Sequence, residues 1–100
     1  VVTDEGLNML AQMPNLTMID LSRTDVTGQS LAKLKDLKYL TSLNLVGTDV
    51  DSSAIGTLSE LKTLRNLYLG ETEIGESGLN KLRTNLPNTD VQGDLVFPSE

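Results

Sequence analysis

The chain has no cysteine, histidine or tryptophan in its 100 residues, and aromatic residues make up only 3% of it. Without cysteine there is no disulfide framework and no thiolate metal site. Without histidine as well, the commonest general base, the best side-chain nucleophile and the usual zinc ligands are missing together. Serine and threonine are plentiful, but only lysine or a carboxylate could activate them, and no G-x-S-x-G elbow presents a serine. Gly70, Gly75 and Gly78 lack the spacing of a phosphate-binding loop. The expectation is a non-enzymatic protein with no catalytic residues and no cofactor. Positive charge is also scarce, with 8 Lys and Arg against 14 Asp and Glu, a formal charge of −6. That balance opposes a nucleic-acid role, which needs a basic stripe to release counterions, and an anionic membrane surface would repel the chain. No apolar run approaches the roughly 20 residues of a membrane helix, so no membrane insertion is expected. The amino terminus lacks the sectors of a signal peptide.

What the chain has in abundance is leucine at fixed intervals. Counted in steps of 24, Leu16, Leu40 and Leu64 align, as do Ile19, Leu43 and Leu67, and Leu21, Leu45 and Leu69. Further columns run through Val2, Val26, Val50 and Ile74, through Leu7, Leu31, Ile55 and Leu79, and through Leu10, Leu34, Leu58 and Leu82. A period of this size is the mark of stacked repeats, each too small to bury its own apolar face. Within each repeat the spacing changes from the alternation of a strand to the three-and-four spacing of a helix. In the second full repeat this predicts a strand at about 42–46 and a helix at about 52–62, with Ile55, Leu58 and Leu61 on one face. The other repeats use Leu31, Leu34 and Leu37, and Leu79, Leu82 and Leu86. Thr27-Gly28, Asp51-Ser52 and Gly75-Glu76-Ser77 mark the helix starts, and Pro14 and Pro87 help to end helices. Strand, turn and helix in 24 residues force parallel strands with helices outside.

The segments LTMIDLSRTDV, LTSLNLVGTDV and LRNLYLGETEI resemble the leucine-rich-repeat consensus LxxLxLxxNxL, with Thr24, Thr48 and Thr72 where many families have Asn or Cys. VTDEGLNMLAQMPN and VTGQSLAKLKDLKY resemble the helical half of the ribonuclease-inhibitor-like and cysteine-containing subclasses. The resemblance spans about residues 1–88. It implies an α/β right-handed solenoid with short parallel strands on the concave face and helices on the convex face. One domain over 1–100 would comprise a partial repeat at 1–15, repeats at about 16–39, 40–63 and 64–88, and a cap or tail at 89–100. The chain is also similar to repeat arrays of bacterial envelope proteins, some with a c-type haem domain upstream. That similarity implies an envelope or periplasmic location, although no C-x-x-C-H motif occurs here.

The ends depart from the pattern. The chain opens in mid-repeat, so the expectation is a fragment of a longer parent, and an uncovered end would permit end-to-end self-association. Leu86 stands one residue later than the period places it; Val91 would begin a last strand, and Leu95, Val96, Phe97 and Pro98 would fold back over the final repeat.

The concave face is the expected contact surface for a protein partner. Its candidate residues are Tyr68, Asp20, Asn44, Asn66, Arg23 and Glu71, with Tyr68 the aromatic anchor. Thr24, Thr48 and Thr72 are expected to satisfy the turn backbone. Tyr39, near a helix end, is expected to pack. Asp25, Asp49 and Glu73 follow the ladder threonines at identical places, a column of like charges that could take calcium through oxygen ligands alone; exposed, screened carboxylates that keep the turns soluble are the plainer reading. Lys33, Lys81, Lys35 and Arg83 fall on the outer helices. A protein-binding or structural scaffold module is therefore expected. The alternatives are an array serving a neighbouring catalytic or haem domain, and a calcium-stabilised module.

Overall fold

Alternation of aliphatic and polar residues over 18–20, 42–44, 66–68 and 90–92 sends one side chain of each triplet inward and two outward. In the computed structural model, which describes residues 4–93, these triplets form strands β1 (Met18–Asp20), β2 (Ser42–Asn44), β3 (Asn66–Tyr68) and β4 (Asp90–Gln92). The strands make one four-stranded sheet in the order β1-β2-β3-β4, parallel throughout. The register places Ile19, Leu43, Leu67 and Val91 side by side. Each partner lies 24 residues on, so the sequence period is the sheet register. Val91 is thus in phase despite the offset at Leu86. The column begun by Val2 and the fold-back of Leu95 to Pro98 lie outside the described residues.

The backbone ladder runs past the strands. Leu21 N–H donates to Asn44 O at 2.8 Å and Arg23 N–H to Val46 O at 2.7 Å; one repeat on, Leu45 donates to Tyr68 O at 2.8 Å and Gly47 to Gly70 O at 2.9 Å. Before the strands, the Thr41 and Ser42 amides share Thr17 O, and the Arg65 and Asn66 amides share Thr41 O. The repeats that carry β1, β2 and β3 therefore satisfy one another's main chain from just before the strand to the turn beyond it, as buried backbone requires.

Between the strands run helical segments: α1 (Asp4–Ala11), α2 (Gly28–Leu31) continued by a 3₁₀ turn at Ala32–Asp36, a 3₁₀ turn at Ser52–Ala54 leading into α3 (Ile55–Leu58), and α4 (Glu76–Asn85). The leucine spacing explains part of this irregularity. Leu31, Leu34 and Leu37 recur every three residues, the interval at which the 3₁₀ turn at Ala32–Asp36 eclipses side chains, whereas Ile55 and Leu58, at the same spacing, lie on the single α-helical turn of α3. Leu79, Leu82 and Leu86 are spaced three then four, which an α-helix aligns. The α-helical spacing also resolves Leu86, which is buried although it falls one residue late. The helix of about 52–62 expected from the pattern is thus shorter and partly 3₁₀. Asp51 caps its segment by accepting from Ser53 N–H at 2.9 Å, whereas Thr27 and Gly75 make no side-chain cap.

Leucines from strands and helices meet in one core, with Leu7, Leu21, Leu31, Leu43, Leu45, Leu58, Leu64 and Leu67 fully buried. Each contributes about 1.5–3 kcal/mol by burial. Helical segments of successive repeats must approach closely to keep step with the sheet. Gly6, Ser30, Ala54 and Gly78 form a 24-residue column of small residues, the last three buried. Gly28 is buried against the same column: a Cβ there would stand 2.5 Å from Cβ of Ala54. Gly28→Ala should therefore cost about 1–3 kcal/mol through overpacking. In an Ala54→Gly background the same change should cost much less, and urea unfolding of the four variants measures the difference. Equal costs in both backgrounds would show that the two sites do not touch.

Candidate functional site

One face of the sheet is covered by the core and the other, among the described residues, is open. Met18, Ser42, Asn66 and Asp90 form one outward column, and Asp20, Asn44, Tyr68 and Gln92 the next. Met18 is 68% exposed, and Ser42, Asn44, Asn66 and Tyr68 are half-buried by their neighbours. The structure thus brings Asp20, Asn44, Asn66 and Tyr68 together on one surface.

Each strand ends in a turn built the same way. Thr24, Thr48 and Thr72 donate their hydroxyls to the carbonyls of Leu21, Leu45 and Leu69 at 2.7, 2.8 and 2.8 Å. In two repeats the preceding outward side chain closes the turn from the other side. Asp20 Oδ1 accepts from Ser22 N–H at 3.0 Å and from its hydroxyl, and Asn44 Oδ1 accepts from Val46 N–H at 3.0 Å. Asp20 and Asn44 are therefore parts of the turn as well as of the face. Asn66 and Tyr68 make no such bond to the turn.

The turns also carry a column of unusual backbone. Arg23, Gly47 and Glu71, again 24 apart, all have positive φ, at 59°, 72° and 58°. Left-handed backbone costs about 1–2 kcal/mol for a residue with a side chain. Arg23 and Glu71 then reach across the intervening repeat, with the guanidinium donating to both carboxylate oxygens at 3.0 and 3.3 Å. Gly47 lies beneath this bridge: a Cβ there would come within 3.2 Å of Arg23 Cγ. Glycine at the middle repeat serves both the left-handed turn and the clearance of the bridge. The hydrogen bonds and charge of Glu71 raise the Arg23 pKa further. The pair is solvent-exposed, with side chains 68% and 60% accessible, so it orders the surface more than it stabilises the fold. Arg23 and Glu71 thus stand on the surface as a pair rather than as two free charges.

Asp25, Asp49 and Glu73 are exposed along the edge beyond the strand ends. Asp49 and Asp51 line a cleft of about 440 Å³ there. Among the described residues no group of three or more carboxylates could hold a metal ion. The column is a row of separate charges, and Asp51 is engaged by Ser53.

Lys33 and Lys35 lie on the 3₁₀ turn after α2, and Lys81 and Arg83 on α4, on the helical segments as expected. Lys35 pairs with Glu60 at 3.0 Å. Arg83 donates to Val91 O from Nε and Nη2 at 3.3 and 3.2 Å, tying α4 to β4. Tyr39, expected to pack, is 61% exposed. It lines a cleft of about 490 Å³ with Lys38, Lys62 and Arg65 at the edge where the strands begin. That cleft was not anticipated from the sequence; its signal is the 24-residue interval from Lys38 to Lys62. No family model matches the chain, and no curated protein matches it.

Gly47→Ala should destabilise by about 1–2 kcal/mol, and part of that loss should disappear in an Arg23→Ala background, where no side chain crosses the site. Full cost in both backgrounds would assign it all to the backbone. A second expectation concerns acid. Bonds from the Ser22 hydroxyl and amide hold the Asp20 carboxyl below its ordinary value, and those from Ser53 do the same for Asp51. Their stabilisation is complete above the unfolded value of 3.8 and fades as pH falls through the lower folded one. The melting temperature should carry no slope from these groups between about pH 7 and 5 and should fall below about pH 4. Asp20→Asn, which keeps the acceptor but not the titration, should make that fall shallower.

Proposed function

We propose that this chain is a leucine-rich-repeat solenoid that binds a protein partner on its open sheet face, without catalysis. The observation that carries the reading is the uncovered side of the sheet. Parallel sheets normally have helices on both faces, yet here the second face bears polar and aromatic side chains in register, with Met18 largely exposed. Such a face is well suited to contact another macromolecule. The 24-residue register and the repeated threonine turn support the family assignment. Side chains for acid-base or nucleophilic chemistry are poor in kind, since the chain has neither histidine nor cysteine. Strands at about 4.8 Å spacing make a contact patch roughly 14 Å wide across four repeats, with Tyr68 and Asn66 as its anchors. Asp20 and Asn44 hold the adjoining turns, and the Arg23–Glu71 bridge forms the rim.

A photo-reactive amino acid in place of Ser42 should capture a protein from native extract, whereas the same group in place of Lys81 on α4 should not. Tyr68→Ala should reduce the capture at position 42 by about tenfold or more, the scale of an aromatic anchor, with the melting temperature unchanged. Equal capture from both faces, or capture indifferent to Tyr68, would remove the open face as the contact surface.

A further inference from the structure

We propose that the edge where the strands begin carries a second binding site, a cationic cleft for an acidic, extended peptide segment of a partner protein. The cleft is lined by residues that immediately precede the strands: Lys38, Tyr39 and Thr41 before β2, and Lys62, Thr63 and Arg65 before β3. It concentrates three positive charges and no carboxylate in a protein of net charge −6. None of the three cations takes part in an ion pair among the described residues, whereas Lys35, a few residues away, has its acid in Glu60. Lys38 and Lys62 occupy equivalent places one repeat apart, so two like charges stand close together with no internal counterion.

The chemistry of the lining favours a peptide over a simple anion. The Thr41 hydroxyl is donated to Thr17 O at 3.2 Å and the Thr63 hydroxyl to Leu40 O at 2.6 Å. Their protons are committed, and what remains toward the cleft is acceptor lone pairs. These suit peptide N–H groups and are unhelpful to a bare phosphate. Arg65 offers a planar fork that matches a carboxylate, and exposed Tyr39 offers an apolar flank with a polar tip. A second apolar-lined cleft, with Leu86 and Pro87 in its wall, shares Lys62 and Asn88 with the first and lengthens the groove. The volume of about 490 Å³ is room for several residues rather than for one ion. A nucleic acid would bring a dense phosphate array against a protein of strongly negative net charge, and it is disfavoured on that ground. The site lies on a different edge from the open sheet face, and the inference does not rest on the function proposed for that face.

The test uses the full chain and a fluorescently labelled decapeptide of alternating Glu and Leu, with its Gln and Leu counterpart, inorganic phosphate and a single-stranded oligonucleotide as competitors. The acidic peptide should bind, and weaken steeply as salt rises from 50 to about 200 mM, a range over which the Debye length roughly halves. Lys38→Gln with Lys62→Gln should lower the affinity by about threefold to tenfold, the scale of two exposed charge pairs. Lys33→Gln with Lys81→Gln changes the net charge equally but lies on the helical side, and should leave the affinity unchanged. Tyr39→Ala should weaken binding and leave its salt dependence as it was. Equal loss from both lysine pairs, equal binding of the neutral peptide, or displacement by phosphate or oligonucleotide at the concentration of the peptide would overturn the proposal. So would a sedimentation profile showing that the chain pairs with itself through this edge.

Discussion

Every level of the structure answers to one constraint, the fixed separation of hydrogen-bonded strands. Main-chain bonds set neighbouring repeats about 4.8 Å apart, while packed helices prefer 8–10 Å between axes. The chain meets that mismatch in two ways. It trades regular helix for narrow 3₁₀ turns at Ala32–Asp36 and Ser52–Ala54, and it keeps small residues at Gly28, Ser30, Ala54 and Gly78, where repeats approach. The leucines fill what the ladder spaces. They are interchangeable between repeats because each sits over the same position in the next.

The turns after the strands show how a repeated solution is adapted locally. A threonine hydroxyl bound three residues back fixes the same turn in three repeats. With the turn so determined, left-handed backbone is tolerated at Arg23 and Glu71, residues that bear side chains. Only the middle repeat uses glycine. There the long side chain of one neighbour passes to the other, so clearance on the surface is added to the demand of the left-handed turn, and glycine meets both. The bridge spans 48 residues of sequence and two strand spacings. It covers the end of the open face and restrains the orientation of both side chains.

Much of this was legible because a side chain's column predicts its neighbours. Strand positions, register and the buried leucines follow from the interval of 24 alone. So do the threonine turns, since a polar group recurring beside the core needs a recurring partner. The helical halves were less legible. A spacing of three and three reads as amphipathic helix in a general way, and the choice of 3₁₀ over α depends on how much room the neighbouring repeat leaves. The face was partly legible: Asn66 and Tyr68 emerge as available groups, but the local bonds of Asp20 and Asn44 are set by turn geometry that spacing does not specify. Tyr39 was misjudged because proximity to a helix end does not say which way the loop carries it. The cationic edge has no helix-face pattern, because Lys38, Lys62 and Arg65 belong to loops that only the fold lines up.

The two strand edges also show why net charge is a poor guide to a protein of this kind. Carboxylates Asp25, Asp49 and Glu73 follow the strands, and Lys38, Lys62 and Arg65 precede them. Stacking repeats multiplies each difference, since a charge placed once per repeat becomes a row. The rows are separated by at least the three-residue strand, about 10 Å at 3.3 Å per residue. The Debye length at physiological salt is about 8 Å. A ligand at one edge is therefore largely screened from the charges at the other, and each edge presents its own sign to a partner. The overall charge of −6 governs encounter with large polyanions, which meet the whole molecule. A short segment lying along the strand starts meets the cations alone, so a chain acidic in sum can carry a site that is basic in place.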